Sequence, residues 1–452
     1  MFSQETLIKT LLQQKPPNIE QEKLVNLLSK KLLLSGVVLS VLLCSLVPLA
    51  GASAVWSQTY GGSGTDCAHS LVATSDGGYA LVGSTSSSGA GQDDFWLVKI
   101  DESGNVEWNQ TYGGKSFDYA YSLAAASDGG YALAGGDLLV KTDAFGNMQW
   151  SKTYEQGSVH SLIAMSDGGY IIAGAWNYSG DCDFWLVKTD YSGVMEWNRT
   201  YGGLANDYAC SVVAASGGGY AIAGATNGDF WLVKTDANGD MEWSQTYGGP
   251  GEDIACSLVA TSDGGYAIAG VWGCDNDLWK LWGLSSGGDA WLVKTDALGN
   301  MQWNKTYGGT GADWAASLVE TPDGGYAIAG TFNCTMFIVS GGGDYWLVKT
   351  DALGNMEWSR TYGGEGAEAT SCLIEAPDGG YVIAGSGPSS DHKSFDFWLV
   401  KTDEFGFSSE SSLWLPSLIL LLTGASLVVA SILSILIKRR KLRKRSLEEA
   451  DV

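Results

Sequence analysis

The chain has 452 residues, 45% of them hydrophobic and 62 of them glycine, enough to bury a sizeable core in a turn-rich fold, and its 17% charged content excludes a disordered polyelectrolyte. Its formal charge is −24, but residues 1–54 carry five Lys and three Glu and residues 438–452 carry seven Lys/Arg and three acids, so the middle holds 14 basic and 44 acidic residues, a net of −30. Such a surface repels phosphate backbones, which excludes nucleic acid as a partner and favours cations or cationic partners.

From the N-terminus, a polar leader (1–31) precedes the uncharged run LLLSGVVLSVLLCSLVPLA at 32–50, which follows Lys30 and Lys31 and is succeeded by Ala52, Ser53 and Ala54. The pattern is that of a signal peptide cleaved after Ala54. An uncleaved signal anchor is the alternative reading of the same run.

Residues 55–404 repeat one unit seven times: SDGGYAIAG, a variable loop, then DFWLVKTDxxGNMEWSQTYGG. The tryptophan near the end of each copy stands at Trp56, Trp108, Trp150, Trp197, Trp243, Trp303 and Trp358, at spacings of 52, 42, 47, 46, 60 and 55 residues. A period of roughly 40–50 residues fits propeller blades or helical arrays. The segments SLVATS, GGYAIAG, DFWLVKTD and MEWSQTY are short, β-branched and aromatic, and are separated by Asp/Gly/Asn clusters. The expectation is therefore an all-β, seven-bladed β-propeller of four-stranded blades, with tight turns at SDGG and TDxxGN.

The combination of SDGGYAIAG with DFWLVKTDALGNMEW resembles the repeat of secreted or surface-anchored bacterial and archaeal β-propellers, over residues 56 to about 404. Its D-x-x-G-x-x-x-W segment is distantly similar to the quinoprotein propeller repeat. The resemblance implies the architecture and an extracellular setting. The adjacent cysteine pair of quinoprotein dehydrogenases is absent, and no cofactor is expected.

The chain opens on a fourth-type strand, 56–60, and its last copy ends on a third-type strand, 396–403, so the two should pair in one blade and close the ring. Strand alternation then places the loops after TYGG and the loops between second and third strands on one face, here called upper, with the tight turns on the lower face.

After a linker (405–416), residues 417–437 form an uncharged run long enough to span a hydrocarbon core of roughly 30 Å. The basic tail 438–452 follows at once, which by the positive-inside rule puts the C-terminus in the cytoplasm and the propeller outside. The lower face should look toward the membrane and the upper face outward.

Several residue sets invite chemistry. An acid follows TYGG by four residues in six copies, Asp66, Asp118, Asp207, Asp253, Asp313 and Glu368. As a ring at a channel mouth these carboxylates could bind Ca²⁺; as repeat features they would instead satisfy their own loops. Lys99, Lys141, Lys188, Lys234, Lys294, Lys349 and Lys401 recur in the third strand and should pair with repeat carboxylates. Cys210 and Cys256 share a position with Ala316 and read as small apolar residues, whereas Cys274 and Cys334, in adjacent long loops, are candidates for a disulfide. Sequons begin at Asn109, Asn177, Asn198, Asn304 and Asn333, as glycan sites in a surface glycoprotein.

No G-x-S-x-G, HExxH or phosphate loop occurs, and only three histidines are present. The largest departures from the repeat are 271–288 and 331–343 in the fifth and sixth blades. They present Trp272, Trp279, Trp282, Phe332, Phe337, Asp275 and Asp277 beside Trp314 and Asp313, a set suited to a sugar or a protein hot spot. The expected function is that of a single-pass, surface-anchored module binding an extracellular glycan or protein. A structural envelope component and a carboxylate-dependent glycan-active enzyme are the alternatives.

Overall fold

A computed structural model describes residues 55–176, 182–274, 288–334, 343–364, 366–389 and 393–409. The chain divides into two units, 1–52 and 53–452, and all described residues belong to the second. The leader, the signal run, the 417–437 segment and the basic tail lie outside the described residues. No helix among the described residues is long and apolar enough to cross a membrane.

The described residues form seven four-stranded antiparallel sheets, a seven-bladed β-propeller. Blades 1 to 6 are meanders of consecutive strands spanning 66–112, 122–153, 157–201, 207–247, 252–307 and 312–362. In each, the third strand is almost wholly buried and the fourth, the outermost, is largely exposed, as Asp229–Thr235 and Met241–Tyr247 of blade 4 illustrate. Blade 7 takes three strands from the C-terminal end of the repeats and the fourth, β1 (Trp56–Tyr60), from the N-terminal end. The expected closure holds: Trp56 pairs with Lys401 and Tyr60 with Phe397.

Each core lies at a seam between blades. Ile171, Phe184 and Tyr201 of blade 3, for example, pack on Val212, Tyr220 and Trp231 of blade 4. The repeat's tryptophan meets the tyrosine of the next blade's GGY edge-on or tilted at all seven seams, from Trp56–Tyr79 at 6.3 Å to Trp358–Tyr381 at 6.1 Å. The TYGG tyrosine also crosses every seam, donating to the glycine carbonyl of the next TDxxGN turn: Tyr60 to Gly104 at 2.7 Å, Tyr307 to Gly354 at 2.8 Å. Those turn glycines take positive φ, 84° at Gly104 and 72° at Gly354.

An inner belt repeats the pattern. A first-strand serine accepts from the next blade's backbone N–H, as in Leu162 N to Ser122 Oγ at 3.0 Å and Leu373 N to Ser317 Oγ at 3.0 Å. At the closing seam Cys372 takes the serine's place and meets the Leu71 N–H. On the lower turns, Lys99, Lys141, Lys188, Lys294, Lys349 and Lys401 each pair with the SDGG or PDGG aspartate of their own blade. Blade 4 reads SGGG there, and Lys234 pairs with Glu242 instead.

Candidate binding face

The two ends of the blades differ in what they allow to vary. Every connection between first and second strands has five residues, from 74–78 in blade 1 to 376–380 in blade 7, and so do the connections between third and fourth strands, such as 101–105 and 351–355. At the opposite end the connections between second and third strands run from two residues, 136–137 and 227–228, to fourteen, 275–288. Uniform turns carry the mutual hydrogen bonds of the ring; the upper face carries the differences.

The acids after TYGG lie at the upper end of the blades; Glu368 is buried there, and the five aspartates are each bound into their own loop. Gly62 N donates to Asp66 at 2.8 Å, Gly114 N to Asp118 at 2.7 Å, Gly203 N to Asp207 at 3.2 Å, Gly249 N to Asp253 at 2.8 Å and Gly309 N to Asp313 at 2.6 Å. Each also faces the aspartate that starts the preceding blade's third strand, with the first TYGG glycine between them. A Cβ on Gly308 would lie 2.5 Å from both Asp289 Oδ1 and Asp313 Oδ2, which requires glycine there. Burial, reinforced by Asp313, pushes the Asp289 carboxyl up. Among the described residues no group of three or more His, Cys, Asp or Glu is placed to hold a metal ion.

Of the nine residues expected to bind a ligand, Trp279, Trp282, Phe337, Asp275 and Asp277 lie outside the described residues. The other four sit on the upper face but are packed into their blades. Asp313 is 1% exposed and accepts from Asn333 N at 2.6 Å as well as Gly309 N. Trp314 lies half-buried against Ala225, Ile254 and Val271. Phe332 packs on Trp346 at 5.3 Å, and Trp272, the most open of the four at 36% exposure, leans on Trp291 at 6.5 Å. Trp314 and Val271 are brought together across a seam; Trp272 and Phe332 each pair with their own blade's third-strand tryptophan.

A second feature comes from a deletion. Blade 2 reads YALAGGDLLVKT where blade 4 reads YAIAGATNGDFWLVKT, so its central hairpin ends at the pair Gly135–Leu138 whereas blade 4 continues to Thr226–Asp229. With the top of the hairpin missing, the first strand shrinks to Ser122–Ala125, and Val159 N of blade 3 closes onto Gly136 O at 2.6 Å. A cleft of about 170 Å³ opens, lined by Phe117, Asp118, Tyr119, Tyr121, residues 135–137, Ser158 and His160. Phe117 is 58% exposed and stacks on Tyr119 with centroids 6.1 Å apart and planes 5° from parallel. Tyr119 donates to Asp93 at 2.8 Å, and burial together with that carboxylate pushes its phenol up to about 12.

The same deletion uncovers Asp118. In blades 5 and 6 the upper hairpin caps the equivalent acid, through Gly273 N on Asp253 Oδ1 at 2.7 Å and Asn333 N on Asp313 Oδ1, and in blade 1 Thr85 caps Asp66. Blade 2 lacks those residues. Asp118 is half-buried, and its Oδ1 accepts no hydrogen bond among the described residues.

At the floor, Tyr121 meets the bulge residues of the two neighbouring first strands, His69 in blade 1 and His160 in blade 3. Tyr121 lies between His69 at 5.3 Å and His160 at 6.0 Å. His160 Nδ1 is 2.9 Å from the Ala209 carbonyl, an acceptor only, so the proton sits on Nδ1 and Nε2 faces Ser158 Oγ at 3.3 Å. Burial lowers both imidazoles, His69 to about 4, so both are neutral at pH 7. Cys210, at the same register, is half-buried and its thiol is pushed up to about 12 by burial, which leaves no reactive thiolate.

Asn109, Asn198 and Asn304 lie exposed on fourth, outermost strands, and Asn333 is exposed at the end of a second strand with φ 54°. Asn177 lies outside the described residues, as do the side chains of Cys274 and Cys334.

Comparison with protein-family models gives no match, and comparison with curated proteins gives none either. Among solved structures, the chain is similar to the WD40 domain of Neurospora crassa Pan2, at 11% identity with a TM-score of 0.52, covering 79% of this chain and 98% of that one. Others are a protein of unknown function from Bacteroides caccae (13% identity, TM-score 0.43, covering 63% and 93%) and Sqt1 from Chaetomium thermophilum (11%, 0.45, 74% and 83%). The likeness to the Pan2 domain, at 11% identity, speaks to the fold alone, and the fold is a β-propeller.

Proposed function

We propose that the chain is a surface-anchored binding module, held by residues 417–437 with the propeller outside the cell, that takes an extracellular glycan or protein on its upper face. One observation carries the reading: the lower turns keep one length in every blade while the upper connections range from two to fourteen residues. A site must differ from its symmetry mates, and variation confined to one rim of a rigid ring is where loops on a scaffold acquire function. The aromatic groups of that rim, Trp272 and Phe117 among those described, supply contact area for a sugar face or a protein hot spot.

The test is a glycan and surface-protein binding screen with the full chain in detergent. Hits lost on changing upper-face residues support the reading. A chain that captures nothing, yet assembles into an ordered lattice by itself, would support a structural envelope role instead.

A further inference from the structure

We propose that the blade 2 cleft is a site for an organic cation, an alkylammonium or guanidinium group, which supplies to Asp118 the second donor that the upper hairpin supplies in blades 1, 5 and 6. The inference deepens the binding function proposed above and rests on it. Three observations converge.

The first is the uncapped oxygen. Asp253 and Asp313 each receive a second N–H from their own hairpin, whereas Asp118, which lines the cleft, receives no second donor among the described residues. A donor on a ligand completes the same pattern.

The second is charge. Asp137 is exposed beside Asp118, Asp93 stands behind Tyr119, and none of the three forms a salt bridge among the described residues, whereas the lower-face aspartates do. Both histidines near the floor are neutral at pH 7, so no positive group in the cleft competes. Lys115, on the same segment, is exposed and forms no salt bridge among the described residues. An anionic ligand meets two unpaired carboxylates, and a cation meets them with attraction.

The third is shape. Phe117 and Tyr119 present stacked rings on one wall and Tyr121 closes the floor, and ring faces attract cations within about 6 Å. A volume near 170 Å³ is comparable to the roughly 150 Å³ cavity that admits benzene, room for one side-chain terminus or one small cation and not for an extended oligosaccharide.

The same chemistry has two sources, a free metabolite or a Lys or Arg side chain of a partner protein. Tetramethylammonium chloride, arginine amide, a short arginine-containing peptide and methyl glucoside are titrated calorimetrically into the full chain in detergent. Saturable binding of the cations is expected, weakening with added salt and falling about tenfold or more in both Phe117→Ala and Asp118→Asn. A peptide binding more tightly than arginine amide supports the site and assigns the partner-protein source; equal affinity supports the site and assigns the free cation. No saturable cation binding, undiminished binding in both variants, or glucoside binding in place of the cations overturns the proposal. Phe117 is largely exposed, so its replacement tests the site without disturbing the fold. If surface partners are captured and lost with Trp272→Ala while the cations do not bind, the cleft assignment fails and the binding function stands.

Discussion

Trp56→Ala measures how much the ring depends on its closing strand. Trp56 is 7% exposed, its indole N–H donates to Glu102 O at 3.0 Å, and its ring abuts Tyr79 of blade 1. Truncating a buried aromatic costs about 3–5 kcal/mol. Unfolding entropy of roughly 2.1 cal/mol/K per residue over roughly 350 residues gives about 0.7 kcal/mol/K, so a loss of about 4 kcal/mol lowers Tm by about 5 °C. Tyr60→Phe, which removes a buried donor and strands the Gly104 carbonyl, should cost about 1–2 kcal/mol and about 2 °C. Differential scanning calorimetry of both, beside Trp243→Ala in a blade with no chain break, is the assay. If Trp56 is an ordinary member of the repeat, the two tryptophan variants shift alike, and deleting residues 55–61 costs more than either. A Trp56→Ala protein that melts at the wild-type temperature while Trp243→Ala does not would refute closure by β1.

Burial pushes the Asp263 carboxyl up, but its bonds to Lys294 and Thr261 outweigh that and hold it at about 2, below the unfolded value. Its stabilising contribution is thus present above pH 4 and lost as pH falls toward 2; Asp263→Asn should melt lower than wild type at pH 7, with the difference closing near pH 2 by circular dichroism. Asp289 has the opposite sign, since burial and Asp313 raise its folded pKa and its ionisation costs stability at neutral pH. Asp289→Asn should raise Tm at pH 7 and leave it unchanged at pH 3; a lower Tm at pH 7 would contradict this. Because the five aspartates after TYGG each accept a backbone N–H of their own loop and no three acids are placed together to hold a metal among the described residues, chelator treatment should leave Tm unchanged, and a Ca²⁺-dependent rise would show those carboxylates holding a cation. On intact cells, a cysteine at Ser116 on the upper face should label faster than one at Asn300 in a lower turn, and equal labelling would count against the proposed orientation.

Much of this fold follows from short-range pattern. The Trp and Tyr spacings fix the number of blades because each marks a contact made once per seam, and the unmatched end strands require a shared blade. Residue roles were harder to read where they depend on neighbouring blades. That Tyr307 bonds Gly354, or that Gly308 separates two carboxylates, involves residues more than one strand apart in sequence and adjacent only in the ring. The insertions in the repeat single out blades 5 and 6, while the cleft arises from a deletion. Its signal was visible in the shortest spacing, 42 residues, and in the loss of the Asp-Phe-Trp triplet before Leu139. The consequence for Asp118 was not, because the hairpin that caps an acid is recognised only when the capped copies, Asp253 and Asp313, stand beside the uncapped one.

If binding belongs to the upper face, variants there and not in the lower turns should weaken it. The deciding measurement is surface plasmon resonance with a partner recovered from the screen, comparing Phe117→Ala and Trp272→Ala with Leu298→Ala in a lower turn. At least one upper-face variant should weaken binding tenfold or more while Leu298→Ala, whose side chain is 65% exposed, leaves it unchanged. Loss of binding in Leu298→Ala with both upper-face variants intact would contradict the upper-face assignment.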